Sequence, residues 1–279
     1  MPGLVRLIAG ALLAAIAVPA TAQDAPDIEL WRLDCGTIEL SDAGPFSDTH
    51  LYDGETRTLT DSCYLVRNGN RYLLWDTGLP AALKGTSAAQ WVFTLSLEQT
   101  IADQLAELGL TPDNVTFLGV SHYHDDHIGQ AAAYPGAELL IARADAEQIL
   151  AQEMAGAIAQ LSPWLAPDAT GKVTRIAGDH DVFGDGSVVI KAMPGHTPGH
   201  QALLVRLPET GPVMLTGDLY HFEEQIENRG VPTFNTDRAD TLASFERFDQ
   251  MAETLRATVV IQHDPRYIDR LPAFPASAK

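Results

Sequence analysis

The sequence predicts an α/β protein in which two mixed β-sheets pack against each other and helices cover the outer faces. Three observations predict it. Strand-like segments dominate the front of the chain, helix and strand alternate behind them, and the progression from strands to mixed helix and strand occurs twice over. Three strand-like runs also lead into histidines, at His122, His196 and His263, which points to one shared edge where strands end.

The elements follow in order. Residues 28–33, 63–66 and 71–76 read as strands, and Asn68-Gly69-Asn70 between the last two is a hairpin signal. Ser96 is expected to cap a helix carrying Leu97, Ile101, Leu105 and Leu108 at helical spacing; Gln99 completes the capping box and Gly109 marks the stop. Residues 115–120 read as a buried strand running into Ser121-His122. Another strand spans 139–142, and a long alanine-rich helix is expected over 145–161. Short strands are expected at 173–176 and 188–193, and 202–207 and 213–216 continue the sheet. A helix over 239–255 and a strand over 257–262 complete the chain.

Residues 1–22 carry a short cationic start, an apolar run over 7–18 and the small residues Ala20-Thr21-Ala22, the pattern of a cleaved secretory signal peptide. The apolar run is shorter than the roughly 20 residues that a spanning helix needs, and Pro19 interrupts it, so no stable membrane anchor is expected. Residues 23–279 then form one domain, periplasmic or secreted. Its 17 basic and 37 acidic residues disfavour nucleic acid and anionic lipid as partners. Cys35 and Cys63 are the only cysteines. In an oxidising compartment they can pair, with two buried thiols as the alternative.

The segment His122-Tyr123-His124-Asp125-Asp126-His127 gathers three imidazoles and two carboxylates in six positions after an apolar strand. Imidazole and carboxylate suit a borderline cation such as zinc, and a hydrolytic zinc keeps one position open for water. His122 and His124 can grip one ion while Asp126 and His127 reach a second.

With these residues the chain resembles the metallo-β-lactamase superfamily. Trp75-Asp76-Thr77-Gly78, the 122–127 segment, Pro194-Gly195-His196-Thr197-Pro198-Gly199-His200, Thr216-Gly217-Asp218 and Gln262-His263-Asp264 match its motifs in order. The resemblance implies the metallo-β-lactamase fold and two zinc ions per chain. His122, His124 and His196 would hold the first, Asp126, His127 and His263 the second, with Asp218 as the bridge. Asp76 would orient ligand histidines, and His200 would be structural. Such a metal pair activates water and polarises a carbonyl, and Asp126 would pass the proton to the leaving group.

Zinc β-lactamases lack a bridging aspartate, so Asp218 together with His127 points to lactonases, glyoxalase-II-like thioesterases or phosphodiesterases. Ser62-Cys63-Tyr64-Leu65, the 216–222 stretch and the 231–237 stretch resemble the N-acyl homoserine lactonase family. That resemblance implies a small-molecule lactone substrate and quorum quenching by ring opening. The thioesterase, phosphodiesterase and class B β-lactamase readings stay open, as does a metal-dependent binding protein without turnover. Where this lactonase family commonly places a tyrosine, this chain has His221 with Tyr220 beside it. The expectation is that His221 donates to the substrate carbonyl, with Tyr220 as the rival and simple packing as the third option. Trp91, Phe93, Trp164 and Phe222 are candidate walls of an acyl pocket; the core or a homodimer contact are the alternatives.

Overall fold

The computed structural model describes residues 27–279, so the expected signal peptide at 1–22 lies outside the described residues. In chain order the elements are β1 (Ile28–Leu40), β2 (Arg57–Asn68), β3 (Arg71–Trp75), β4 (Ser87–Gln90), β5 (Phe93–Ser96), α1 (Ile101–Glu107), β6 (Phe117–Gly119), α2 (Asp125–Ile128), β7 (Glu138–Ala142), α3 (Arg143–Ala151), α4 (Ala155–Gln160), α5 (Ser162–Leu165) and β8 (Val173–Ile176). There follow β9 (His180–Asp181), β10 (Val188–Ala192), β11 (Gln201–Leu207), β12 (Gly211–Leu215), α6 (Glu224–Asn228), α7 (Arg238–Leu255) and β13 (Thr258–Val260).

The strands form an eight-stranded sheet in the order β4-β5-β1-β2-β3-β6-β7-β8 and a five-stranded sheet in the order β13-β12-β11-β10-β9. Both are mixed. β1, β2 and β3 pair antiparallel, β3, β6, β7 and β8 parallel, and β13 runs parallel to β12. Side-chain alternation explains the layers. Tyr64, Val66, Leu73 and Trp75 point between the sheets and cluster with Leu203, Val205 and Val213, which share one face of the second sheet. Leu65 and Leu74, one position out of phase, pack beneath Ile101 and Leu105 of α1 and Ile149 of α3. On the far side Phe245 and Phe248 of α7 cover the second sheet. This is the predicted helix-sheet-sheet-helix sandwich. Among the described residues no helix is long and apolar enough to cross a membrane.

Two helices differ from the sequence expectation. Ser96 ends β5, where it pairs with Thr37 of β1; the cap is Thr100, whose side chain accepts from Asp103 N while Asp103 accepts from Thr100 N. The alanine-rich stretch is three short helices, because Glu153 takes a positive φ of 49° and Pro163 opens α5. Trp164 is buried among the outer helices with its Nε1 donating to Ala137 O, so it lines no acyl pocket. The 87–96 segment is the β4-β5 hairpin, hydrogen-bonded to β1.

Cys35 and Cys63 are disulfide-bonded, joining β1 to β2 with Cα atoms 5.8 Å apart. The turn after β3 rests on this bridge. Gly78 has φ of 60°, and a Cβ there would collide with Cβ of Cys35, so only glycine fits. Closing the 28-residue separation constrains the unfolded chain by roughly 3–4 kcal/mol. Cys63→Ser is therefore expected to lower the unfolding free energy by that order and so the denaturation midpoint, and added reductant to lower the midpoint of wild type only. Equal midpoints with and without the bridge would remove its stabilising role.

Candidate metal centre

Five segments reach one place because their strands end at the same edge. Asp76 follows β3, His122 follows β6, His196 follows β10, Asp218 follows β12 and His263 follows β13. The residues singled out in the sequence form two groups, His122, His124, His196 and Asp218 in one, and Asp126, His127 and His263 in the other. In the first, His122 Nε2, His124 Nδ1 and His196 Nε2 stand 2.9–3.1 Å from one another. Asp218 Oδ2 is 3.2 Å from His196 Nε2 and 3.6 Å from His122 Nε2. Ligands about 2.0–2.1 Å from a tetrahedral zinc lie roughly 3.4 Å apart, so this donor set has the dimensions of one coordination shell. In the second group His127 Nε2 and His263 Nε2 are 3.2 Å apart, and Asp126 Oδ2 lies 3.8 and 3.9 Å from them. Asp218 Oδ1 is 3.0 Å from His127 Nε2 and 2.9 Å from His263 Nε2. One carboxylate thus turns an oxygen to each group.

Outer hydrogen bonds fix which ring nitrogen carries the proton. His196 Nδ1 donates to Asn235 Oδ1 (2.8 Å), His263 Nδ1 to Thr60 O (2.9 Å) and His127 Nδ1 to Asp76 Oδ2 (3.0 Å). Each acceptor is an oxygen, so in the neutral ring each Nε2 is left with a lone pair facing the cluster. Asp76, in a left-handed conformation with φ of 59°, also accepts from Ser121 N and Gln262 Nε2. Strained backbone of this kind is characteristic of functional sites. His200 is no donor to the groups. Its Nδ1 donates to Met193 O and its Nε2 accepts from Asp218 N, where a Cβ on Gly217 would come within 2.7 Å. Asp145, buried, accepts from Thr197 Oγ1 and Gly199 N and ties the loop after His196 to α3. Burial pushes its carboxyl up to about 7.

The electrostatics divide the two groups. Burial holds His122 well below the ordinary imidazole range and brings His124 to about 3, which keeps both neutral and able to bind a cation. Burial also opposes charge on His127 and His263, but Asp218 outweighs it, holding His127 well above its usual value and His263 at about 9. Burial would raise Asp218, yet His127 and His263 hold it well below the carboxylate range. Without a metal, protons on these two imidazoles supply the positive charge that the carboxylates require. The donor set therefore fits a divalent cation in each group.

The family model described as Metallo-beta-lactamase superfamily matches residues 57–263, a stretch that contains every residue of both groups. The chain belongs to the metallo-β-lactamase superfamily. Among its superfamily relatives, the N-acyl homoserine lactonase AttM of Agrobacterium fabrum is 34% identical over 174 residues, covering 61% of this chain and just under two thirds, 66%, of that protein. The N-acyl homoserine lactonase of a Bacillus species is 30% identical over 222 residues, 77% of this chain and 85% of that one. A crystal structure of an N-acyl homoserine lactone hydrolase, with the product N-hexanoyl-L-homoserine at its catalytic metal centre, superposes with a TM-score of 0.75. It is 25% identical and covers 89% of this chain and 98% of that one.

Two expectations about this metallo-β-lactamase-fold site need correction. The Tyr220 hydroxyl turns away, donating to Asp249 Oδ1 and accepting from Arg229 Nη1, while its ring stacks on Phe245. His221 does face the cluster, but its Nε2 donates to Asp218 Oδ2 at 3.1 Å. In the neutral ring that bond leaves Nδ1 without a hydrogen, and burial lowers His221 to about 4, so the ring has no free donor for a substrate carbonyl. Asn235, Thr60 and Ser121 were not singled out for a role. Asn235 lies in the stretch that carries the lactonase resemblance, whereas Thr60 contributes a backbone carbonyl that no residue type encodes.

Because, against burial, Asp218 holds His127 well above the ordinary imidazole range and His263 at about 9, cation uptake at pH 7 is expected to release protons. Affinity should rise from pH 6 to pH 9 as His263 loses its proton. A weakly buffered titration with a pH indicator measures this, and uptake without proton release would refute the charge assignment.

Proposed function

We propose that this chain is a metal-dependent lactonase that opens the ring of N-acyl homoserine lactones, using two zinc ions per chain and acting in the periplasm or outside the cell. The observation that carries the reading is Asp218, whose two oxygens face separate donor groups and so suit a pair of cations. The likeness to named N-acyl homoserine lactonases supplies the substrate class. The apolar run before residue 23 and the Cys35–Cys63 disulfide support export.

His122, His124 and His196 would hold the first ion, Asp126, His127 and His263 the second, and Asp218 has an oxygen for each. A bound pair of divalent ions supplies hydrolytic chemistry, lowering the pKa of water and polarising a carbonyl. The remaining work falls to the protein. Asp126 is the ligand carboxylate most open to solvent, its side chain 24% exposed. It takes the proton as water oxygen bonds to the lactone carbonyl carbon, and returns it to the ring oxygen as the ring C–O bond breaks. The products are a carboxylate and a hydroxyl. His221 steadies the Asp218 carboxylate throughout.

An apolar cluster of aromatic side chains stands beside this centre. Phe234 packs edge-on against His196, and Phe46 contacts Phe234, His221, Phe222 and Phe93. Phe93 in turn meets the exposed Trp91 at the hairpin tip. This row, with Phe46 and Phe234 in place of Trp164, suits an amphiphilic neutral substrate.

The deciding experiment is a panel of an acyl homoserine lactone, a simple γ-lactone, a thioester, a phosphodiester and a cephalosporin, with and without chelator. Acyl homoserine lactone is expected to be the preferred substrate, with activity lost to chelator and restored by zinc. Preference for thioester or phosphodiester would overturn the substrate assignment. Asp218→Ser should lower lactone turnover by about 100-fold or more and weaken metal binding. If that variant keeps two ions and near-normal turnover, Asp218 is no bridge. His221→Phe should lose metal along with activity; lost turnover at full metal content would instead restore the donor role.

A further inference from the structure

Gln225 is a fully buried side chain of α6, and its amide bonds backbone groups in three separate segments. Its Oε1 accepts from His221 N (2.7 Å) and Phe222 N (3.1 Å), and its Nε2 donates to Phe46 O and Gly230 O, both at 3.1 Å. A primary amide accepts two hydrogen bonds and donates two, so its capacity is filled, and a flipped amide would set donor against donor. The acceptor half holds the turn after β12, from which Asp218 and His221 reach the metal groups. The donor half holds two segments of the aromatic cluster. Phe46 belongs to the connection between β1 and β2, and Gly230 leads into Phe234. Those two segments are also joined directly, by Asp48 N donating to Val231 O (2.7 Å) and Thr233 N to Pro45 O (2.8 Å).

The joint matters because the metal ligands and the aromatic cluster come from different parts of the chain. Most ligands leave strand ends, whereas Phe46 sits in a connection between strands and takes its place from what that connection is bonded to. On one flank Asn235, next to Phe234, accepts from His196 Nδ1 (2.8 Å). Gln225 makes the matching joint on the Asp218 side. None of its polar atoms is left for a ligand, so it acts only through the segments it holds. We propose that Gln225 is a positioning residue for substrate choice, which sets Phe46 and Phe234 against the metal groups so that the centre favours a lactone with an acyl chain over one without.

The inference rests on the lactonase reading above, and the test separates the two. Zinc-loaded wild type, Gln225→Met, Gln225→Glu, Phe46→Ala and the double variant Gln225→Met with Phe46→Ala are compared. For each, kcat and KM are measured on N-hexanoyl homoserine lactone and on a simple γ-lactone without the acyl chain, with ion content and melting temperature recorded. Methionine leaves all four backbone groups without their partner. Gln225→Met should therefore raise KM for the acyl substrate and cut the ratio of the two kcat/KM values about 10-fold, with two ions still bound. Gln225→Glu keeps the acceptor and, protonated by burial, has one donor for two carbonyls, so its ratio should fall between wild type and Gln225→Met. Because Gln225 acts through the cluster, the double variant should lose no more selectivity than Phe46→Ala alone. An unchanged ratio, or equal loss on both substrates, would overturn the role and leave Gln225 as a support of the fold. Loss of metal in Gln225→Met would overturn it too, since the amide would then serve Asp218. Should Gln225→Met fail to fold, the ratio for Gln225→Glu decides. Wild type without preference for the acyl lactone over the simple one would overturn the substrate reading and this inference with it.

Discussion

Asp218 is a nearly fully buried carboxylate whose oxygens lie within 2.9–3.6 Å of five imidazoles, those of His263, His127, His221, His196 and His122. No hydrophobic core accommodates such a group alone, and five neutral rings do not neutralise it. The cluster is stable only with positive charge among its members, as protons on His127 and His263 or as metal. This one demand explains why four of the rings, those of His263, His127, His196 and His122, meet an oxygen on the far side. A ring free to turn would present a hydrogen to the carboxylate or to another ring and would lose the lone pair that a cation needs.

Meeting that demand sets conditions on the whole sandwich. The five segments that carry Asp76, His122, His196, Asp218 and His263 leave two different sheets, so the sheets must pack in a fixed register for the donors to stand about 3 Å apart. The interlocked layer of Tyr64, Leu73, Trp75, Leu203, Val205 and Val213 provides it. Close packing resists sliding, which is how apolar residues distant from the chemistry hold its geometry.

Much of this was legible in the sequence because the chemistry depends on residue type. Imidazoles and carboxylates clustered after apolar strands can be recognised without coordinates, and the strand exits place them at one edge. What escaped depends on backbone and phase. Thr60 acts through its carbonyl and Asn235 through a contact 39 residues away from His196, so neither has a local pattern. Tyr220 and His221 are neighbours on one turn, and which of them faces the metal groups is decided by the 3-10 turn at Gly217–Leu219 rather than by composition. Alanine content argued for one long helix over 145–161, but propensity is a weak prior and the positive φ of Glu153 breaks it. The β4-β5 hairpin carries little alternation, since every residue of β4 is exposed.

The contact between Gly78 and Cys35 ties the disulfide to the metal centre. The Asp76-Thr77-Gly78 turn that aims His127 leans directly on the sulfur bridge, with Leu79 N also donating to Cys35 O. Oxidation of the cysteines builds the floor on which the turn settles, and only a settled turn presents His127 correctly. The sulfur bridge and the metal-facing face of His127 are therefore mechanically linked through one short turn.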